Sequence, residues 1–338
     1  MALLREISAG TIASTKPTPV EKYVINKYFV ENELFNLMEF VSIGLGSNIG
    51  NIQCTVITFN APENAKFRGL GEEYEVADAE PKAVTLTLKM LGGEFTADRV
   101  LQRAFSNSPG ALDTWTEMQI GQKVNSIIIG FARYFVGGNS ANNAKQFDGL
   151  VAYFGGNLGQ MNTTALELPG GLDETNAMKV EKFLNESVAK INGTPTCLIT
   201  TRLKGKPFLQ TLEAYRHRGV NAVTVNDKEY QSFMGIPIVG LEDSAFTEFK
   251  YLTEGCIPFI FCRMDAVNGI RVALPQDSTN GAVLDIVRPK LGNDGGSTDS
   301  VFVRQGGVEM CCVPIIEDFA VASFCQIKET EASTTATE

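Results

Sequence analysis

The sequence predicts an α+β protein in which one element, an extended two-stranded hairpin, has no place in a compact core. Three observations predict this architecture: a charged extended stretch at 67–105, an amphipathic helix at 112–136, and a series of long strands after Gly269. The chain of 338 residues is long enough for two domains of ordinary size, or for one domain with large extensions.

The composition is typical of a folded protein, with 44% apolar and 20% charged residues. The formal net charge of −10 gives the chain no long-range attraction for nucleic acid or for an anionic membrane surface. No apolar run approaches the roughly 18–20 residues that span a bilayer. The N-terminus also lacks the apolar core of a signal peptide, so we expect synthesis in the cytoplasm and no membrane partner.

Residues 1–50 are predicted to form an N-terminal arm. The first 22 residues are polar, contain two prolines and offer no core of their own. In 21–40, apolar residues spaced by three and four predict a helix, which the glycine-rich stretch 42–50 ends. A short strand is predicted at 54–59.

The stretch 67–105 is predicted to be a hairpin of two extended arms, followed by a Gly-Gly break at Gly92 and Gly93 and a charged helical turn. The second arm carries apolar residues at every other position, which predicts a strand with one buried face. These apolar residues are Val84, Leu86, Leu88 and Met90. The first arm is too highly charged for a core strand. Because a two-stranded arm is only marginally stable in water, we expect it to lie against another molecule, most simply a second copy of the chain.

The strongest helix pattern covers 112–136 and is closed by Gly137 and Gly138. One apolar stripe runs along it, with charged and amide side chains on the opposite face. Its members are Leu112, Trp115, Ile120, Val124, Ile127, Ile128, Phe131 and Phe135. A helix about 37 Å long, about twice the usual length, suits a strut under a sheet.

Residues 139–172 are rich in asparagine and glycine and show few element patterns. Helix and apolar strand then alternate, which predicts a compact α/β unit. Its helices are predicted at 172–188 and 207–218, and its strands at 196–201, 222–225, 234–240 and 257–262. Further strands are predicted at 270–274, 283–287, 300–304, 309–313 and 319–324. The last residues, 331–338, are predicted to be a disordered tail.

No pattern predicts an active site, a cofactor or a metal. The seven cysteines include no C-x-x-C pair, and we expect buried, reduced thiols. The stretch 203–208 lacks the spacing of a phosphate-binding loop, and 155–160 lacks the strand and helix of a dinucleotide turn. His217, the one histidine, is flanked by arginines at a predicted helix C-terminus, where a cation near the last carbonyls explains it. The acidic run Glu72, Glu73 and Glu75 is typical of a solvated face.

In this order, the parts resemble the major capsid protein of tailed bacteriophages, the HK-ninety-seven-type fold that encapsulin shells share. The resemblance covers nearly the whole chain. Residues 65–76 and 88–101 resemble the family's E-loop and its exit, and 111–137 resembles the spine helix. Residues 233–243 resemble a recurrent segment of the axial domain, and 304–322 resemble the returning final strands.

The resemblance implies a division of the chain into four parts and a tail. These are an N-terminal arm at 1–50, an E-loop hairpin with its exit at 51–105, a peripheral domain at 106–172 and 267–330 that contains the spine helix, an axial domain at 173–266, and the tail at 331–338. Because the arm begins at once, without the coiled-coil segment found in many members, we expect scaffolding to be a separate protein or unnecessary.

The resemblance also implies a function, that of a major capsid protein without enzymatic activity. Such a protein assembles with itself into hexamers and pentamers and forms the icosahedral head shell of a virion around double-stranded DNA, without sequence-specific binding. The portal, and scaffolding or decoration proteins, would be its other partners. Two alternatives stay open: an encapsulin-type compartment that encloses a cargo enzyme, and a soluble α/β enzyme.

We expect the assembly interface on the E-loop and its exit. Its apolar residues should carry most of the affinity, because each exposed ion pair contributes less than about 1 kcal/mol. The apolar residues are Phe67, Leu70 and Tyr74; the charged ones are Arg68, Arg99 and Arg103 with Glu72, Glu73 and Glu94. Lys66 and Lys82 lie where some family members form an isopeptide bond to an asparagine, for which Asn280 or Asn293 would be the partner. A solvated lysine is the favoured interpretation of both.

Overall fold

The computed structural model describes residues 32–43, 53–59, 68, 70, 81–98, 109–216, 222–226, 228–265, 269–275, 284–287, 303–316 and 320–330. Within these ranges the strands form a seven-stranded, a five-stranded and a two-stranded sheet. The predictions for 1–31, 44–50 and the tail at 331–338 lie outside the described residues.

The first described elements are a short helix, α1 (Glu33–Leu37), and a strand, β1 (Glu39–Ile43). Asn32 begins the helix, since its side-chain oxygen accepts hydrogen bonds from the backbone N–H groups of Leu34 and Phe35. The helix predicted to run to residue 40 is therefore wrong at its end. The backbone is extended from Met38 onward, because β1 adds to the edge of a sheet.

The two-stranded sheet is a ribbon made of β2 (Gln53–Phe59) and β3 (Pro81–Thr87). The strands are antiparallel, and the register runs from Gln53 opposite Thr87 to Phe59 opposite Pro81. The second arm of the predicted hairpin thus pairs with 53–59 and not with a first arm that begins at residue 67. Most of the predicted first arm lies outside the described residues.

The predicted Gly-Gly break and charged turn after the hairpin are wrong over the described residues. Gly92 and Gly93 lie inside β4 (Lys89–Asp98), which pairs along its whole length with β13 (Val303–Ile316). A Cβ atom at Gly92 would lie 2.5 Å from the Val308 carbonyl oxygen. Glycine therefore lets the two strands approach, and here it continues the strand instead of ending it.

The predicted buried face is also wrong at Met90, whose side chain is 59% exposed. Leu86 packs against the core and Leu88 is buried, as the alternation predicts. The strand partner changes from β2 to β13 around Leu88, and the phase of the alternation changes with it. Beyond this point the inward side chains are those of Leu91 and Phe95, which face the long helix.

The long helix, α2 (Pro109–Gly137), confirms the prediction for 112–136. Its predicted apolar stripe is buried from Ile120 to Phe135, and Trp115 packs against the same core. The ring of Trp115 meets the ring of Phe95 edge-on at 6.3 Å, which fixes β4 to the helix. α2 therefore lies under the five-stranded sheet as a strut.

Three elements lie where few were predicted: helix α3 (Leu150–Gly156), a 3-10 turn (Leu158–Gln160) and strand β5 (Leu166–Pro169). Phe154 of α3 packs among the rings of Phe249 and Phe324. These contacts come from distant parts of the chain, so local patterns of asparagine and glycine could not indicate them.

The seven-stranded sheet has the order β5-β14-β10-β6-β9-β8-β7. Its further strands are β6 (Cys197–Thr201), β7 (Ala222–Val225), β8 (Lys228–Phe233), β9 (Ile236–Leu241), β10 (Ile257–Cys262) and β14 (Ala322–Thr330). Helices α4 (Glu174–Val188) and α5 (Gly205–Tyr215) pack against this sheet, and both confirm predicted helices. Asp173 and Asn176 form a capping box at the start of α4. β8 was not predicted, because its sequence is largely polar.

The five-stranded sheet has the order β1-β11-β13-β12, with β4 also paired to β13. It includes β11 (Ile270–Pro275) and β12 (Asp285–Val287). The two strands predicted at 300–304 and 309–313 are one strand, β13, because Gly306 and Gly307 keep their pairing with β4. The final strand, predicted with these long strands, pairs instead with β10 and β5 in the other sheet.

Candidate assembly surface

The β2–β3 ribbon is the described part of the predicted E-loop. Thr55 and Thr85 lie directly opposite each other and are both exposed, so one face of the ribbon is in water. Leu86 at its base packs against the core, which anchors the ribbon to the subunit. Among the described strands, β2 and β3 pair only with each other.

Two residues between β2 and β3 are described, Arg68 and Leu70, and we call this pair the tip of the ribbon. Both are exposed, and Leu70 has a relative exposure of 108%, so its side chain is fully in solvent. A cation and a large apolar side chain thus lie two residues apart at the surface.

Lys82 and Glu94 are the other described members of the predicted interface. Lys82 lies on β3 opposite Thr58, and Glu94 lies on β4 opposite Gly307, with its side chain exposed. They belong to different sheets. The remaining predicted residues lie outside the described ranges: Lys66, Phe67, Glu72, Glu73, Tyr74, Arg99 and Arg103.

A second exposed surface, which the sequence did not predict, lies on the outer face of β4, β13 and β12. We call it the outer face of the five-stranded sheet. Met90 lies opposite Cys311, and Glu94 lies in one row with Gly307 and Val287. Met90 and Val287 are 59% and 56% exposed, and Glu309 is exposed beside them. Apolar side chains and carboxylates therefore share this face.

The outer face was missed because the period of two was continued across Leu88. The sequence does contain one indication of it, since β4 and β13 each carry a Gly-Gly pair and these pairs lie close together in the register. Since successive residues of a strand point to opposite faces, Gly92 and Gly307 are the two of these glycines that leave backbone on the outer face uncovered by side chains. A face of this kind can accept a closely approaching segment.

The two stretches that were considered for phosphate and dinucleotide binding form helices and turns of the described structure. The stretch 203–208 forms the start of α5, and Lys206 donates hydrogen bonds to the carboxylate of Glu33. Residues 155–160 form the end of α3 and the 3-10 turn, and His217 lies outside the described residues. In the described ranges no group of three histidine, cysteine or acidic residues could hold a metal. Of the described helices, none is long and apolar enough to span a bilayer.

Six cysteines of the described residues have described side chains and are free thiols; five of these six are buried, and Cys311 is half-buried. Burial raises the pKa of Cys325 to about 12, and burial also raises the pKa values of Cys262 and Cys312. A thiol with a raised pKa is a poor nucleophile at neutral pH. These side chains act as small apolar groups of the core.

The backbone is similar to solved structures over nearly its whole length. One is the holo-SrpI encapsulin complex from Synechococcus elongatus PCC 7942, with a TM-score of 0.55 and 11% identity, covering 99% of this chain and 98% of that chain. Another is a chain of Mycobacterium phage Bobi, with a TM-score of 0.51 and 11% identity, covering 88% and 90%. The chain has the HK-ninety-seven-type fold.

A third structure with this fold, the capsid of an empty GTA particle, aligns with a TM-score of 0.50 and 14% identity over 87% of this chain and 89% of that chain. No protein-family model and no curated protein matches the sequence. The predicted fold class, α+β of the HK-ninety-seven type, is therefore confirmed by structure. At these identities the likeness concerns the fold.

Proposed function

We propose that this chain is the major capsid protein of a tailed bacteriophage. It assembles with itself into hexamers and pentamers, and these form the icosahedral head shell of the virion around double-stranded DNA. The portal and separate scaffolding or decoration proteins are its other partners. The chain is made in the host cytoplasm and acts in the shell without catalysis.

The observation that carries this proposal is the β2–β3 ribbon on the HK-ninety-seven-type fold. A two-stranded ribbon with one exposed face is marginally stable alone. Its described tip presents Leu70 fully to solvent. Contact with a second copy would cover this apolar surface and supply the missing stability.

Opposite charges favour a contact between the tip of one subunit and the outer face of the five-stranded sheet of its neighbour. The tip carries Arg68 beside Leu70, and the outer face carries Glu94 and Glu309 beside Met90. Apolar atoms would meet apolar atoms, and the arginine would meet carboxylates. Each exposed ion pair adds less than about 1 kcal/mol, but it fixes the register of the contact.

Electron microscopy and size-exclusion chromatography of the purified full-length chain test the proposal. We expect closed particles of many subunits. A species of one to four subunits under all assembly conditions would show that the chain does not form a shell.

The tip can be tested with a matched pair of variants. Leu70→Asp should prevent assembly and leave the melting temperature of the free subunit unchanged, because Leu70 is fully exposed. Leu158→Asp is the control, since Leu158 is 65% exposed and belongs to the 3-10 turn, not to the ribbon. Normal assembly of Leu70→Asp, or equal loss in both variants, would remove the tip from the interface.

An encapsulin-type compartment is the second candidate, and the alignment with the SrpI encapsulin over 99% and 98% of the two chains favours it. The contents of native particles separate the two functions. Nuclease-protected double-stranded DNA is expected for a phage head. A single enclosed protein without DNA would indicate a compartment.

A further inference from the structure

Two cysteines face each other on two central strands of the seven-stranded sheet. Cys197 is the first residue of β6 and Cys262 is the last residue of β10, and the antiparallel register places them directly opposite each other. Opposite residues of antiparallel strands have Cα atoms about 4.5–5.5 Å apart, and disulfide-bonded cysteines have Cα atoms about 4.4–6.8 Å apart. The backbone therefore holds this pair at a separation that a disulfide can span.

The two side chains also lie on the same face of the sheet. Cys197 and Cys262 belong to the core cluster that contains α2, whereas their sequence neighbours Leu198 and Phe261 belong to the cluster that contains α4 and α5. The two thiols are hydrogen-bonded to each other, and both side chains are fully buried. The two sulfur atoms are therefore placed for a direct bond with little change in the surrounding packing.

The closed sheet protects this pair from oxidants. Burial first, and then the hydrogen bond with Cys197, raise the pKa of the Cys262 thiol well above its usual value. Because the thiolate is the form that attacks a disulfide, the closed subunit reacts slowly. Oxidation therefore requires the strand ends to open.

The pair lies at the ends of both strands, where opening disrupts the fewest contacts. Thr196, which precedes β6, is exposed. Its backbone N–H donates to the Cys262 carbonyl at 2.9 Å, and its hydroxyl accepts from the Met264 N–H at 2.7 Å. Local opening at an element's end requires a smaller free energy than opening the whole sheet. The contacts of Thr196 are thus the ones that break before a small oxidant reaches the two sulfur atoms.

We propose that Cys197 and Cys262 are an oxidation site, which closes as a disulfide within one subunit when the protein meets a small-molecule disulfide. One cysteine thiolate attacks the small disulfide, whose S–S bond breaks and whose first sulfur leaves. The other cysteine thiolate attacks the mixed disulfide and expels the second sulfur, and the two leaving sulfurs take up the two cysteine protons. Two cysteine thiols are thereby oxidised, and one small disulfide is reduced to two thiols.

The bond links β6 to β10 across about 65 residues of chain, which include α5 and the strands β7 to β9. Because a cross-link over a loop of this length restricts the unfolded chain, it stabilises the seven-stranded sheet. The time at which it forms rests on the proposed function: thiols stay reduced in the host cytoplasm, and the bond forms after the shell has left the cell. The bond itself requires only the folded subunit.

Thiol trapping on the full-length chain before assembly tests the proposal. The native protein is incubated with oxidised glutathione at about pH 8, where thiols begin to ionise, and is then alkylated, digested and analysed by mass spectrometry. We expect a linked peptide pair that contains Cys197 and Cys262, and a fall from seven free thiols to five. The oxidised subunit should melt at least ~3 °C above the reduced subunit.

Matched variants separate this pair from the other buried thiols. Cys197→Ala should give neither the linked peptides nor the shift in melting temperature. Cys325→Ala removes a buried thiol on the other face of the same sheet and should still give both. Thr196→Val removes the hydroxyl that accepts from the Met264 N–H, so it should speed bond formation without changing the product.

Three results would overturn the proposal. The first is seven free thiols after oxidation in both the wild type and Thr196→Val. The second is linkage of Cys197 or Cys262 to another cysteine, or to glutathione alone. The third is a lower melting temperature of the linked subunit, because the strands would then not hold the bond in their native register. Failure of the chain to form a shell would not affect these results, since the bond is measured in the free subunit.

Discussion

In the seven-stranded sheet, β6, β9 and β10 have neighbours on both edges and every one of their residues is buried, whereas β2 and β3 pair, among the described strands, only with each other. These three central strands have their strand neighbours within the subunit. The ribbon has an exposed threonine pair and a tip with Leu70 fully in solvent. The difference teaches that the buried central strands stabilise the subunit, whereas the ribbon presents exposed surface, which in the proposed function contacts another copy of the chain.

Shortening the ribbon is the strongest way to test this separation. Phe59 and Pro81 lie directly opposite each other, so a two-residue Asn-Gly turn can replace residues 60–80, with Pro81→Thr supplying the N–H that closes the turn. We expect particle formation to be abolished, with the unfolding free energy of the free subunit within about 1 kcal/mol of wild type.

A Gly/Ser stretch of the same length in place of residues 60–80 is the control that separates length from side-chain chemistry, and it should abolish assembly too. Particles formed by the shortened chain would end the assembly role of the ribbon. A large loss of subunit stability would instead place the tip within the subunit's own fold.

Phe324→Ala tests the other region, because it changes the buried core of the seven-stranded sheet and leaves the ribbon intact. Phe324 is fully buried, with its ring 4.9 Å from that of Phe249 and 6.2 Å from that of Phe154. The cavity should lower the unfolding free energy of the free subunit by about 3–5 kcal/mol, measured by urea titration. A loss below about 1 kcal/mol would show that the sheet draws its stability from elsewhere.

The stability of the subunit at alkaline pH reports how well the seven-stranded sheet excludes water from the Cys325 thiol. The pKa of Cys325 is about 12 in the folded protein because of burial, and near 8.5 in an unfolded chain. The Cys325 thiol therefore stays protonated to a higher pH in the folded state than in the unfolded state. Its contribution to the free energy of unfolding is complete below about pH 8.5 and is lost as the pH rises toward 12. The expected loss is at most about 1.4 kcal/mol per pH unit from this thiol.

Urea unfolding between pH 8 and 11 with a reductant present measures the effect. Cys325→Ala is the matched variant, and its stability should fall less steeply with pH than that of wild type. Parallel pH profiles for the two proteins would contradict burial as the cause of the raised pKa.

The smallest expected effect concerns Met234, at the turn between β8 and β9. Met234 and Gly235 have φ values of 52° and 81°, and Phe233 pairs with Ile236, which is the geometry of a type I′ hairpin. Asparagine tolerates the left-handed region better than methionine does, so Met234→Asn should stabilise the subunit by about 0.5–1 kcal/mol.

The Met234 variant also tests whether the seven-stranded sheet takes part in assembly, as the ribbon is proposed to do. Met234 is 45% exposed. A variant that is more stable and still assembles normally would leave the seven-stranded sheet a complete unit. A variant that is more stable and no longer assembles would mean that this sheet also carries an intersubunit contact.

Elements with a strong local pattern could be predicted from the sequence. The stripe from Ile120 to Phe135 specified α2, and the apolar run 257–262 specified β10, with bounds that match the structure. Elements that depend on distant partners were missed, such as the largely polar β8. Gly92 shows the reason: its role as a strand residue depends on the close approach of Val308, more than two hundred residues away.

The candidate surface was predictable to a similar degree. Arg68 and Leu70 are exposed as the charged first arm suggested, while the outer face around Met90 was not foreseen. The alternation through Leu88 is real, but the change of strand partner reverses which side faces the core. A pattern of period two carries no information about where one partner is exchanged for another.

The junction at Leu88 also has a mechanical consequence. The ribbon continues through Leu88 into β4, whose ten residues pair in an unbroken register with β13. Antiparallel hydrogen bonds run perpendicular to the strands, so tension along β4 would load the whole ladder in shear. A force that spreads the ribbon at its tip would separate β2 from β3 one pair at a time. The β2–β3 ribbon can therefore open under a weak force, while the pairing of β4 with β13 resists a strong one.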